Sequence, residues 1–234
     1  MSEPPAGDRV GDERGAGQPQ LTADDFAQQL AREGGPDSAT AWFDRLYAAS
    51  EQGRAVIPWD RGQAHPLLIE WLERCAPPAR GTPALVVGSG PGHDAELLAA
   101  RGFATTAFDV SPTAVAATRA RFPDSTVDYL AADLLALPTA WQRAFGLVVE
   151  IFTVQSLPRS LREQATAAIC ATVAPGGTLL VVQAVSDDAE NDVVGPPWPL
   201  TAAEIAAFGR DGLVPVNVEE LGEPHRWRAE FRRA

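Results

Sequence analysis

Apolar positions follow two different periods on either side of about residue 80. Before that point they recur every three or four residues. Trp42, Phe43, Leu46 and Tyr47 form one such stripe in a helix expected over about 38–50, and Leu67, Leu68, Trp71 and Leu72 form another in a helix opened by Pro66. An earlier helix is predicted to start at Thr22, a residue suited to an N-cap, with Asp24 and Asp25 in its first turn. After Pro83, short β-branched runs alternate with helical stretches, as in a largely parallel sheet with helices on both faces. Strands are predicted at about 84–88, 105–109, 126–131, 145–151, 177–184, 213–219 and 225–232, with helices near 93–101, 112–121, 159–173 and 201–209. Only Gly222-Glu-Pro-His225 separates the last two strands, too short a link for a parallel crossover, so they form an antiparallel hairpin. The expected fold is therefore α/β: a doubly wound, seven-stranded, mostly parallel sheet with a C-terminal antiparallel hairpin.

Length supports one core: 234 residues suit a single large α/β domain better than two. Residues 1–20 are Gly, Pro and charge with no apolar run, and are expected to be a disordered N-terminal tail. The domain then spans 21–234, with a helical N-terminal layer at about 21–75. A formal charge of −12 argues against nucleic acid or an anionic membrane as partner and favours a small-molecule substrate. No apolar run reaches the length of a membrane span, so a cytoplasmic protein is expected, as a monomer or homodimer. There is no lysine, which removes Schiff-base, P-loop and lysine-base chemistry, and the Ala, Gly, Pro and Arg bias suggests a GC-rich bacterial genome. Cys75 and Cys170 belong to no metal-type or redox pair and are expected to be core thiols; no metal site is expected.

Chemistry concentrates where the first predicted strand, Ala84-Leu-Val-Val, runs into Gly88-Ser89-Gly90-Pro91-Gly92-His93-Asp94. Glycines there permit positive φ and close approach of a ligand to the backbone. A dinucleotide fingerprint needs Gly or Ala where His93 stands, so the spacing disfavours a nicotinamide-dependent oxidoreductase. Asp109, closing the second strand, is placed to accept hydrogen bonds from a ribose, with Val110 beside it and Ser111 free to cap the next helix. After the third strand, Asp133 and Leu134 offer a carboxylate and an apolar wall to an adenine. Asp94 lies in the first helical turn, suited to the helix dipole or to an ammonium group. Glu150 ends an apolar strand and is expected to point into the crevice beyond the strand ends. His65, His93 and His225 are expected to be structural.

The glycine spacing resembles the first motif of the S-adenosylmethionine-dependent methyltransferases. Pro58-Trp59-Asp60-Arg61-Gly62-Gln-Ala-His65-Pro66-Leu67-Leu68 is similar to the P-W-D-x-G-x-x-x-P-L stretch of the thiopurine, thiol and halide methyltransferases, and Gly88 to Asp94 is similar to their G-C-G-x-G-x-D, with Ser89 in place of Cys. The resemblance spans roughly 40–184. It implies a Rossmann-like methyltransferase fold, S-adenosylmethionine as cofactor, S-adenosylhomocysteine as product, and a lid carrying Trp42 and Trp59. Gly88, Ser89, Gly90, Gly92, Asp94, Asp109, Val110, Asp133, Leu134 and Glu150 then join Trp42 and Trp59 as candidate cofactor residues. Leu46-Tyr47 stand where that family usually has a second Trp, leaving the nucleophile open. Candidate catalytic residues are Glu150, Tyr47 and Gln155; candidate substrate contacts are Tyr47, Thr153 and Trp198, the last in a Pro-rich loop preceded by Asp187, Asp188, Glu190 and Asp192. With no histidine required as a base, the expected reaction is methyl transfer to a sulfur nucleophile of a metabolite or natural product. O-methylation and non-catalytic cofactor binding are the alternatives.

Overall fold

Continuous apolar strands followed by glycine or acidic turns build the centre of the protein. The computed structural model describes residues 22–33, 39–75, 78–186 and 196–234. The expected tail at 1–20 and the acidic loop at 187–192 lie outside them. Three helices come first: α1 (Ala23–Glu33), α2 (Ala41–Glu51) and α3 (Pro66–Cys75). The alternating part follows with β1 (Pro83–Val87), α4 (His93–Ala100), β2 (Ala104–Asp109), α5 (Pro112–Arg121), β3 (Asp128–Ala131), β4 (Phe145–Ile151), α6 (Arg159–Thr172), β5 (Val173–Ala184), α7 (Ala202–Ala206), β6 (Leu213–Leu221) and β7 (Arg226–Arg233).

The seven strands form one sheet in the order β3-β2-β1-β4-β5-β7-β6. Strands β1 to β5 are parallel to one another, and β7 runs antiparallel to both β5 and β6. Alternate residues feed the two faces: Leu85 and Val87 pack in one apolar layer, with Ala84 and Val86 in the other. That two-sided burial is why the strands read as unbroken apolar runs. Strand order reverses between β1 and β4, and the crevice outside their carboxyl ends is where α/β sheets of this kind hold ligands.

Local signals explain most boundaries. Thr22 and Asp25 bond reciprocally at the start of α1, Ser111 Oγ accepts from the Ala114 N–H to cap α5, and Thr201 forms a capping box with Glu204 at α7. Three expectations are corrected. β5 begins at Val173, ahead of the glycine pair, because Val173 pairs with Phe145 across a register shift in β4. α7 stops at Ala206, short of 209, as the chain tightens into a turn before Gly209. Cys170 is buried, but Cys75 is exposed, since it ends α3 one turn past the buried Trp71 and Leu72.

A third apolar cluster joins α1 and α2 to Ile57 and the buried Ala114 of α5. It covers the carboxyl end of the sheet, and Asp44 of α2 fastens it there by accepting from Ser111 Oγ at 2.6 Å and the Thr113 N–H at 3.0 Å. Among the described residues no helix is long and apolar enough to cross a membrane, and no cluster of His, Cys, Asp or Glu is arranged to hold a metal.

Candidate active site

Beyond β1 the chain turns through Gly88, Gly90 and Gly92 at φ 61°, 49° and 88°. A Cβ at Gly88 would lie 2.5 Å from Thr153 Oγ1, and one at Gly90 would lie 3.1 Å from Tyr47 Oη. Gly88 therefore demands glycine for space as well as conformation, and Gly90 for conformation with little space to spare. Gly92 has another role. A Cβ there would strike Thr118 Cγ2 at 2.4 Å, so this glycine lets α4 start against α5 and does not line the cavity.

Asp109 ties the end of β2 to this loop. Its Oδ2 accepts from the Gly90 N–H and its Oδ1 from the Ser111 N–H, each at 2.9 Å. Burial pushes the Asp109 carboxyl above the usual range, opposed by these N–H groups. The Val110 N–H is a third donor to this carboxylate, which leaves about one lone-pair site to accept from a bound hydroxyl.

A cavity of about 350 Å³ opens beside the loop. Gly88, Ser89, Gly90, Asp94, Asp109 and Val110 line one side; Phe108 and Leu134 add apolar surface, and Asp133, whose side chain caps a 3₁₀ turn through the Leu135 N–H, lies at the exposed rim. Trp42, Tyr47 and Trp59 cover it. Trp59 Nε1–H donates to Tyr47 Oη at 2.8 Å, while Trp42 meets Trp59 edge-on with centroids 6.1 Å apart. Asp60 anchors the covering loop, accepting from Arg121 at 2.9 Å with His93 Nε2 3.2 Å away. Burial opposes ionisation of Asp60, but the Gly62 N–H and the Arg121 guanidinium hold its carboxyl below the usual range. Asp94 accepts from the His65 N–H at 2.7 Å, and burial pushes its carboxyl up.

The cavity wall also includes Thr153 and Gln155 after β4, Pro196 and Pro197, and several residues that sequence reasoning missed as ligand-facing: Arg61, His65, Phe152 and Arg226. Phe152 holds φ 62°, a strained value for a bulky residue. His65 was expected only to start a helix, yet it lines the cavity with its ring edge-on to Phe152 at 5.2 Å. Its Nδ1 accepts from the Leu67 N–H, and burial, with Arg61 and Arg226 nearby, pulls it down to about 4, so it is neutral at pH 7. His93 and His225 are both in carboxylate contacts, with Asp60 and Glu220.

Two expectations about side-chain direction fail. Glu150 is fully buried and turns under the chain, where it accepts from the Thr153 and Val154 N–H groups and from Gln183 Nε2, so it does not line the cavity. Trp198 sits in a separate, smaller cleft with Trp42, Pro158 and Leu161; its loop reaches the main cavity through Pro196 and Pro197 instead. Gln155 does line the cavity, its Oε1 committed to the Ala184 N–H at 2.7 Å.

This arrangement has known counterparts. A family profile described as a methyltransferase domain matches residues 84–177. The 2-heptyl-1-hydroxyquinolin-4(1H)-one methyltransferase of Mycobacteroides abscessus is 27% identical over 159 residues, covering 67% of this chain and 68% of that protein. Among solved structures, one described for the conversion of a disulfide bond into a thioacetal group during echinomycin biosynthesis superposes with a TM-score of 0.66 at 20% identity, covering 82% of this chain and 91% of its own. The Burkholderia thailandensis 1,6-didemethyltoxoflavin-N1-methyltransferase, with bound 1,6-didemethyltoxoflavin and S-adenosylhomocysteine, superposes with a TM-score of 0.62 at 18% identity, covering 93% and 92%.

The residues present fit S-adenosylmethionine, the cofactor whose product S-adenosylhomocysteine is bound in that last structure. Gly88 leaves no room for a side chain and Gly90 little, Asp109 keeps about one lone-pair site beyond its three N–H donors, and Phe108 and Leu134 add an apolar surface. When bound, S-adenosylmethionine supplies an electrophilic methyl group. Residues 84–177 thus carry a methyltransferase domain, and the fold and cavity around it suit methyl transfer from S-adenosylmethionine.

Proposed function

We propose that the enzyme methylates a small molecule at sulfur, within the thiopurine and thiol type of methyltransferase that the Trp59 segment resembles. One observation carries this reading: among the described residues, the side chains near Thr153 and Tyr47 other than the carboxylates assigned to the cofactor offer no free general base. Imidazole at His65 commits its Nδ1 to the Leu67 N–H; Glu150 is buried with both oxygens engaged; Tyr47 is pushed well above the usual phenol range by burial and by Asp109. A thiol needs no such base, because at a pKa of ~8.5 a few per cent is already thiolate at neutral pH. The chain's own contribution is then position and exclusion of water, worth ~7–11 kcal/mol for two well-aligned reactants.

In this reading Asp109 accepts from the ribose, Asp133 and Leu134 flank the adenine, Asp94 receives the ammonium group, and Thr153 and Tyr47 border the acceptor. An acidic hydroxyl is the second candidate, favoured by the hydroxyquinolone methyltransferase among the relatives, since such an oxygen also ionises unaided. Incubation with labelled cofactor and matched panels of thiols, phenols, hydroxyquinolones and ring amines decides between them. Label on the thiols is the expected result; label confined to oxygen or nitrogen overturns the sulfur reading.

A further inference from the structure

Arg226 opens β7, and the antiparallel register sets it opposite Ala184 at the end of β5. Its side chain thereby joins the wall beside Phe152, with Cζ 5.3 Å from the ring centroid. One guanidinium N–H donates to the carbonyl of His225, while Nε is buried with no hydrogen-bond partner. Arg61 reaches the same cavity from the covering loop. Several other arginines are matched: Arg121 with Asp60, Arg162 with Glu204, Arg228 with Glu219. Neither Arg61 nor Arg226 pairs with a carboxylate among the described residues, although the chain carries 31 acidic residues against 19 basic ones. Burial and the charge of Arg61 both lower the affinity of Arg226 for its proton, while the charge of Arg61 is also felt by Asp94; Arg226 is the cation left without a carboxylate beside it. Buried charge without a partner is costly, and an incoming anion relieves that cost.

We propose that Arg226, supported by Arg61, forms an anion subsite at the acceptor end of the cavity, and that the methyl acceptor is an aromatic molecule bearing a carboxylate. A planar guanidinium fork suits a carboxylate in bidentate fashion, and the aromatic surface of Phe152 lies beside it. The proposal rests on reading this end of the cavity as the acceptor site and is independent of which atom receives the methyl group. The cofactor's own amino-acid carboxylate is the competing occupant, and the test separates the two.

The full chain, saturated with S-adenosylhomocysteine, is titrated calorimetrically with two acid and amide pairs: 4-mercaptobenzoate against 4-mercaptobenzamide, and 4-hydroxybenzoate against 4-hydroxybenzamide. Each acid should bind at least about tenfold tighter than its amide, the scale of a charge-assisted pair. Arg226→Gln should reduce that ratio to below about twofold and leave the Kd for S-adenosylhomocysteine within about twofold of the parent. Equal binding of acid and amide to the parent, no binding of either, an unchanged ratio in Arg226→Gln, or a folded variant with lost S-adenosylhomocysteine affinity overturns the proposal. Should Arg226→Gln not fold, Arg61→Gln at its exposed position decides, by lowering the ratio at least about threefold or not. Transfer to sulfur or to oxygen in the same two acids reports on the sulfur reading separately, and neither result alters the acid-to-amide comparison.

Discussion

Asp109 holds the glycine loop and lines the cavity with the same carboxylate, so its loss bears on folding and, in the proposed ribose role, on binding. Asp109→Ala is expected to raise the Kd for S-adenosylhomocysteine at least about tenfold by calorimetry, the scale of a lost charge-assisted bond; an unchanged Kd would remove Asp109 from the ribose role. Glu150 poses a different problem. Burial pushes its carboxyl up to about 7, against the Val154 N–H, Gln183 and the Thr153 N–H, and Gln183 Oε1 is buried without a partner. Because the folded-state pKa lies above the unfolded one, the native state holds the extra proton between about 4.5 and 7. Stability must therefore fall as pH rises through that window. Glu150→Gln cannot ionise, and with Gln183 turned over its amide can donate to the orphaned Oε1. Urea denaturation should show the parent losing on the order of 1–3 kcal/mol between pH 5 and pH 8 at this site, with the variant flat across that range and the more stable at pH 8. A parallel slope in both proteins would assign the pH dependence elsewhere.

Between elements, the junction of α2 with the start of α5 is the one to test. Asp44 accepts from Ser111 Oγ and the Thr113 N–H; burial opposes its charge, but these donors hold its carboxyl below the usual range. Its stabilising effect is thus fully present above the unfolded pKa and is lost as pH falls through the folded one. Asp44→Ala should cost roughly 1–3 kcal/mol locally, and hydrogen exchange should speed in α2 while β1 amides stay protected. Uniform loss of protection would mean that the helical layer is inseparable from the core. Elements with two buried faces were the easiest to read from sequence: the apolar runs of β1 and β4 and the acid closing β2 needed only local chemistry. Glu150 misled because strand position gives no warning that a terminal carboxylate will fold back to cap the next turn. Arg61, His65 and Arg226 were invisible as a group for a stronger reason. Their meeting depends on β7 lying beside β5, a long-range pairing with no local signature.

Across the whole molecule, the strand order brings the loops after β1, β2 and β4 and the start of β7 to one edge of the sheet, under a single helical cover. Ligand bound there touches most layers of the fold at once, so it should stabilise the protein as a unit. S-adenosylhomocysteine at about 100 times its Kd should add ~2.7 kcal/mol, raising Tm by about 5–11 °C for a domain of this size. Scanning fluorimetry checks this, and Asp109→Ala should shrink the shift at equal ligand concentration; a parent protein with an unmoved Tm would contradict the cofactor seat. The hairpin has a further consequence. Gly88 to Asp109 fall inside the span shared with other methyltransferases, 84–177, whereas Arg61, His65, Pro196, Pro197 and Arg226 fall outside it. On the proposed reading, the glycine loop and Asp109 that seat the donor lie in the shared stretch, while much of the wall facing the recipient, Phe152 and Thr153 apart, lies outside it. A lineage can redirect which compound it modifies by altering one loop and one strand start, while the inherited machinery for carrying the methyl group stays as it was.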